Sequence, residues 1–209
     1  MMEIAVSEAG KRFNRNWIFR NWSQSFTPDH AYVILGGNGS GKSTALKTIL
    51  GYAPLTEGKL AYRMDGSEID RASVYKHVNF CSPYLELYEE LTLREMVSFH
   101  FSLKQIRNGL STNEFLDYIE LKKWVDKPVK FFSSGMKQRL RLGLAILSQG
   151  DILLLDEPVS NLDRAGINWY KNLVEKHRKN RICVVASNQQ EDEFFFCDNR
   201  IEIENYKPR

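Results

Sequence analysis

The segment AYVILGGNGSGKSTALKTILGY, residues 31–52, leaves few folds open. The apolar run at its head reads as a buried strand running into a glycine turn. Ala45, Leu46, Ile49 and Leu50 then recur at helical spacing, and Gly51 follows as a C-terminal stop. Inside the turn, Gly36, Gly41, Lys42 and Ser43 occupy the fixed positions of GxxxxGK[ST]. Glycines there let the backbone wrap a phosphate with several amide N–H groups pointing inward. A helix expected to start at Ser43 adds the positive end of its dipole. Gly36, Gly37, Asn38, Gly39, Ser40, Gly41, Lys42, Ser43 and Thr44 therefore form a candidate phosphate cradle. Lys42 is expected to reach the β- and γ-phosphates, and the Ser43 hydroxyl to ligate Mg²⁺.

Such a cradle gives meaning to ILLLDEP, residues 152–158, an apolar strand that ends in two carboxylates. Asp156 at the strand end can hold a metal through water, and Glu157 beside it can polarise an attacking water. Two adjacent acids at a buried strand tip repel each other, so a nearby cation accounts for their placement. A third element, FFSSGMKQRL, residues 131–140, admits two readings. Ser133 or Ser134 caps a helix continuing from Met136, or the serine- and glycine-rich helix start is an anion site.

The remaining pattern is α/β. DILLLD and RICVVAS are strand-like runs with a helix near residues 164–179 between them, which implies parallel wiring. TLRE at 92–95 and STNE at 111–114 match the capping box and should each open a helix. With the helix from Met136, these make residues 88–150 an inserted helical lobe. EIAVSE and KLAYRM suggest a small antiparallel flank, and RIEIE at 200–204 alternates as an edge strand does.

Composition narrows the function classes. The net charge of +3 is spread along the chain, which argues for a mixed-sign surface and against a nucleic-acid partner. Cys81, Cys183 and Cys197 form no CxxC pair and read as buried thiols in a reducing compartment. The N-terminus shows no apolar leader, and no apolar run approaches the roughly 18 residues of a membrane span. A cytoplasmic chain is expected, held at a membrane only through another subunit.

Taken together, these motifs resemble the ATP-binding subunit of ABC transporters, essentially from end to end. The resemblance implies a P-loop NTPase, RecA-like core with a mostly parallel sheet, one domain over residues 1–209, and ATP with Mg²⁺ as cofactors. Residues 36–43 look like that family's Walker A loop and 152–157 like its Walker B. Residues 133–136 stand where its LSGGQ signature stands, and SNLD, 160–163, is similar to its D-loop. Phe13 fits the aromatic that stacks on adenine, with a place in the core as the other reading. The family's head-to-tail dimer implies that Ser133, Ser134 and Gly135 of one copy close on ATP held by Lys42 of the other, and that closure drives an integral membrane subunit.

Two landmarks differ. Pro83 falls where the family carries a glutamine, and Asn188 where it carries a switch histidine. Asn188 then reads either as a weakened γ-phosphate sensor or as the cap of a helix opening at Gln189. A nucleotide-gated module with little hydrolysis, and a soluble ATPase acting on ribosomes or DNA, remain as alternative functions.

Overall fold

In the computed structural model, which describes residues 1–28 and 30–208, three apolar runs become strands buried on both faces. They are β3 (Ala31–Leu35), β7 (Ile152–Asp156) and β8 (Ile182–Ser187). Two strands that the sequence reading missed or misplaced flank them: β6 (Val78–Cys81) and β9 (Asn199–Glu202). The five pair in the order β6-β7-β8-β3-β9, and every pairing is parallel. Burial on both sides explains why β3, β7 and β8 are nearly continuously apolar.

Successive side chains point to opposite faces, and each face closes its own core. Val33, Leu35, Leu153, Leu155, Cys183 and Val185 pack under α2 (Leu93–Leu103), α3 (Thr112–Tyr118), α4 (Ser134–Ile146) and α5 (Arg164–His177). Tyr32, Ile34, Leu154, Val184 and Ala186 pack under α1 (Lys42–Ile49) and a second, antiparallel sheet. That sheet has the order β2-β1-β4-β5, from β1 (Met2–Phe13), β2 (Asn16–Phe26), β4 (Glu57–Met64) and β5 (Ser67–Glu68). The expected flank of EIAVSE and KLAYRM is the β1–β4 pair; β2 was not anticipated.

Both capping boxes form. Thr92 and Ser111 each accept from the N3 amide, while Glu95 and Glu114 reach back to the cap amide at 2.8 Å. Several boundaries differ from expectation. α1 begins at Lys42 and α4 at Ser134, because Gly41 and Ser133 are their N-cap residues. The terminal strand spans Asn199–Glu202 and gives way to a 3₁₀ turn over Ile203–Tyr206. Gly51 has φ 80° just past α1, the left-handed stop that glycine tolerates. Cys81 and Cys183 are buried, Cys197 is partly buried, and all three are free thiols. No helix among the described residues is long and apolar enough to cross a membrane.

Candidate functional site

Strand register brings the sequence motifs to one edge of the parallel sheet. Leu35 pairs with Ser187, and Ala186 with Asp156. The residues that follow these strands, Gly36, Asn188 and Glu157, therefore leave the sheet at its C-terminal edge, where open α/β sheets bind their ligands.

The cradle is built from backbone. Gly41 has φ 107°, and a Cβ on it would fall 2.4 Å from Ile18 Cγ2, so the close approach of β2 requires glycine there. No side chain caps α1, which leaves its first-turn amides facing the loop. Lys42 is 5% exposed, and its ammonium donates to Gly36 O at 2.9 Å and Gly37 O at 3.0 Å. Ser40 Oγ is buried without a partner in the same loop. A buried cation bonded to neutral carbonyls, an orphaned hydroxyl and uncapped helix amides fit a polyphosphate. Gly37, Asn38 and Gly39 are exposed at the rim, whereas Ser43 and Thr44 are half-buried. Gly37 N–H also donates to Glu204 Oε1 at 3.2 Å, tying the C-terminal turn to the loop.

Asp156 is 1% exposed, and Ser43 Oγ donates to its Oδ1 at 3.1 Å. Burial raises its pKa, and the Glu157 charge adds to that. The Ser43 and Ser82 hydroxyls and the Lys42 ammonium act in the opposite direction. One carboxylate with a hydroxyl beside it is a hard, all-oxygen donor set, suited to Mg²⁺ that is shared with phosphate oxygens. Glu157 is half-buried and holds φ 43°, an uncommon left-handed conformation pinned by its N–H donating to Ala186 O at 3.0 Å. Asn161 (φ 63°) and Gln189 (φ 58°) share that conformation on the neighbouring loops.

Asn188 does not cap a helix. The short α6 (Glu191–Phe194) has Gln190 at its N-cap, and the Gln190 N–H donates to Ser187 Oγ at 3.2 Å. The left-handed Gln189 intervenes, so Asn188 turns the other way. Its Nδ2 donates to Asn38 Oδ1 at 3.1 Å, across 150 residues of sequence. Phe13 is 52% exposed, which removes the core reading. It lies at the end of β1 and pairs with Asn16, two residues before the Ile18 that touches Gly41. The hairpin carrying Phe13 thus runs beside the cradle.

Ser133 and Ser134 are exposed at the start of α4. Ser133 Oγ accepts from Met136 N–H at 3.2 Å, so it is the cap. A Cβ on Gly135 would fall 3.1 Å from Asn161 O, which places the segment SNLD, residues 160–163, against this helix start. Three polar residues at the site were not anticipated. Gln138 is fully buried and donates to Pro158 O at 2.9 Å; a polar side chain in phase with Leu142 and Ala145 was its signal. Ser82, beside Asp156, carried no signal beyond adjacency to Pro83. Glu193 is 2% exposed. Burial raises its carboxyl to about 7, the Ser187 hydroxyl and Val159 N–H oppose the rise, and Glu157 and Asp156 add to it.

A parallel sheet with a glycine cradle after one strand and an acidic pair after another, on either side of β8, defines a P-loop nucleotide-binding protein of the α/β class. The family model described as ABC transporter matches residues 19–160. The chain belongs to that family, as an ATP-binding subunit. It is similar to two proteins of Bacillus subtilis (strain 168), each called an uncharacterized ABC transporter ATP-binding protein. YcbN is 33% identical over 165 residues, covering 79% of this chain and 54% of YcbN. YybJ is 28% identical over 207 residues, covering 96% of this chain and 92% of YybJ. The chain thus spans about half the length of the former and nearly all of the latter. Among solved structures, the dimeric post-hydrolysis state of the ATP-binding cassette MJ0796, bound to ADP and Pi, matches with a TM-score of 0.81. Its identity is 21%, over 99% of this chain and 97% of that one, a likeness of fold.

Proposed function

We propose that this chain hydrolyses Mg²⁺-ATP as a head-to-tail homodimer and thereby drives a separate integral membrane subunit from the cytoplasmic face. Residues 1–209 act as one nucleotide-binding domain, with 88–150 as its helical lobe. The observation that carries this reading is the convergence of Lys42, Ser43, Asp156 and Glu157 at one sheet edge. Lys42 binds the β- and γ-phosphates together with the amides of residues 37–44. Ser43 and Asp156 would hold Mg²⁺, which would supply positive charge to the phosphate oxygens. Glu157, next to Asp156 at the end of β7, orients and polarises the attacking water. Asn188, held at the cradle rim by Asn38, offers an amide to the γ-phosphate. It reaches less far than histidine and carries no charge, so turnover is slow. Phe13 supplies the face for adenine. Ser133, Ser134 and Gly135 of the second copy complete the site, a reading supported by the dimeric state of MJ0796.

The surface proposed for the membrane subunit is aromatic. Tyr52, Tyr84, Tyr88 and Phe99 are 77%, 82%, 62% and 42% exposed, and Tyr88 packs edge-on against Phe99 at 5.2 Å. Tyr52 and Tyr84 line one surface cavity and Tyr88 and Phe99 another, and exposed apolar groups clustered in this way suit an interaction surface. A second reading, a nucleotide-gated module with little hydrolysis, is favoured only by Pro83 and Asn188.

The test is Glu157→Gln, which keeps the shape and removes the carboxylate. With Mg²⁺-ATP, it is expected to elute as a dimer and to release phosphate at least about 100-fold more slowly than the parent, the scale of one lost catalytic acid or base. A monomer with and without ATP overturns the sandwich. A parent protein that binds ATP but releases no phosphate, even beside its membrane subunit, favours the second reading.

A further inference from the structure

Asp156 has a second hydroxyl partner. Parallel pairing sets Cys81 level with Leu155, so Ser82 and Asp156 leave the sheet side by side. Ser82 is 4% exposed. Its Oγ donates to Asp156 Oδ2 at 3.4 Å and accepts from Tyr84 N–H at 3.4 Å. Ser43 serves the other oxygen, Oδ1, at 3.1 Å. Each carboxylate oxygen therefore has its own hydroxyl donor, one from the phosphate cradle and one from the loop after β6. The Tyr84 amide takes one acceptor position on Ser82 Oγ, which directs the hydroxyl proton towards Asp156. Behind Ser82 lies a surface cavity of about 340 Å³, lined also by Lys47, Leu50, Tyr52, Phe80 and Tyr84. Ser82 thus lines that cavity and also contacts the carboxylate.

We propose that Ser82 is a positioning residue for the metal site: it fixes the plane of the Asp156 carboxylate so that the oxygen beside Ser43 faces the metal. Pro83 has no polar side-chain atom with which to contact that site, and its ring restricts the backbone of Ser82 to extended conformations. The loop therefore delivers its polar contact one residue earlier. A carboxylate in a tight site that loses one of two orienting donors rotates more freely and binds its cation less well. Outer partners of this kind are typically worth about 10–100-fold in metal affinity.

The inference rests on the reading of Asp156 as the metal carboxylate, and the experiment separates the two. Mn²⁺ is titrated by electron paramagnetic resonance into the full chain with a non-hydrolysable ATP analogue, for the parent, Ser82→Ala, Ser82→Thr and Asp156→Asn. Affinity for the analogue is also measured in EDTA, and melting temperature for each variant. Ser82→Ala is expected to weaken Mn²⁺ about tenfold while leaving metal-free analogue affinity within twofold, and Ser82→Thr is expected to recover most of the loss. If Asp156→Asn weakens Mn²⁺ but Ser82→Ala binds it like the parent, the role of Ser82 is overturned. If Asp156→Asn binds Mn²⁺ like the parent, the metal site itself is misassigned. A lower melting temperature for Ser82→Ala with unchanged Mn²⁺ affinity marks Ser82 as structural only, and also overturns the proposal.

Discussion

Asn188 donates its amide to Asn38 across the mouth of the cradle and leaves the start of α6 to Ser187. Its substitution is therefore expected to change turnover without a capping penalty. Asn188→His should raise the rate of phosphate release and Asn188→Ala lower it by about tenfold, a part of the roughly 10²–10³ that one well-placed donor contributes. ATP affinity and melting temperature should move little. Lys42→Ala removes a buried ammonium that bonds Gly36 O and Gly37 O inside the cradle. Loss of a charged hydrogen bond of about 1.5–3 kcal/mol predicts ATP binding weakened by at least tenfold, read by a fluorescent analogue. Glu193 gives a pH-dependent prediction. Its carboxyl is raised from 4.5 to about 7 in the fold, chiefly by burial. The folded state then binds more protons than the unfolded one between these values. Stability is full below the lower value and falls as pH rises through the upper one. Glu193→Gln is expected to melt several degrees higher than the parent at pH 8, by roughly 3 kcal/mol at most. The two should melt together at pH 4.5.

α4 joins the site to the rest of the fold at both ends. At its start, Gln138 Nε2 holds Pro158 O, just past the acidic pair. At its end, Arg181, 1% exposed, donates to Ile146 O, Gly150 O and Ser148 O at 2.7, 3.0 and 2.9 Å. The last carbonyls of a helix lack partners within it, and a cation there also complements the dipole. Burial lowers the Arg181 pKa to about 10, with Arg107 adding to the shift, so the group stays charged at neutral pH. Arg181→Met takes the donor from Ile146 O, whereas Ser148 O keeps Asn79 Nδ2 at 3.1 Å and Gly150 O keeps Arg107 at 3.4 Å. A loss of about 1–3 kcal/mol is expected, the scale for a buried acceptor left unsatisfied, with urea unfolding as the measurement. Arg181→Lys should recover only part, since one ammonium does not reproduce the three-way fork.

For the whole molecule, the two exposed faces carry separate predictions. If Ser133 and its neighbours meet the nucleotide of a second copy, Ser133→Arg in the Glu157→Gln background should abolish the ATP-dependent dimer on a sizing column, with the melting temperature within a few degrees of Glu157→Gln alone. If the aromatic face binds the membrane subunit, Tyr84→Ser with Tyr88→Ser should abolish co-purification from detergent extract while nucleotide binding by the isolated chain stays intact. Failure of the first with success of the second would leave a motor that meets its membrane partner without the sandwich.

What the sequence determined by itself is local and contiguous. The cradle over residues 36–44 follows from glycines, a lysine and a helix start within nine consecutive residues, and the capping boxes at Thr92 and Ser111 from side chains three residues apart. Tertiary structure decided what depends on non-local pairing. β2 was obscured because its polar residues and the left-handed Asn21 interrupt alternation, and β6 because four residues carry little periodic signal. Strand order places β8 between β3 and β7, and so turns Asn188 towards Asn38 rather than into α6. Ser82 reaches Asp156 only through the β6–β7 register, across 74 residues. Glu193, Gln138 and Arg181 are polar by type and buried by position, since their partners come from distant segments. A hydrogen bond closed over a long loop has no signature at either end of the chain it joins, and only the packed sheet fixes where both ends lie.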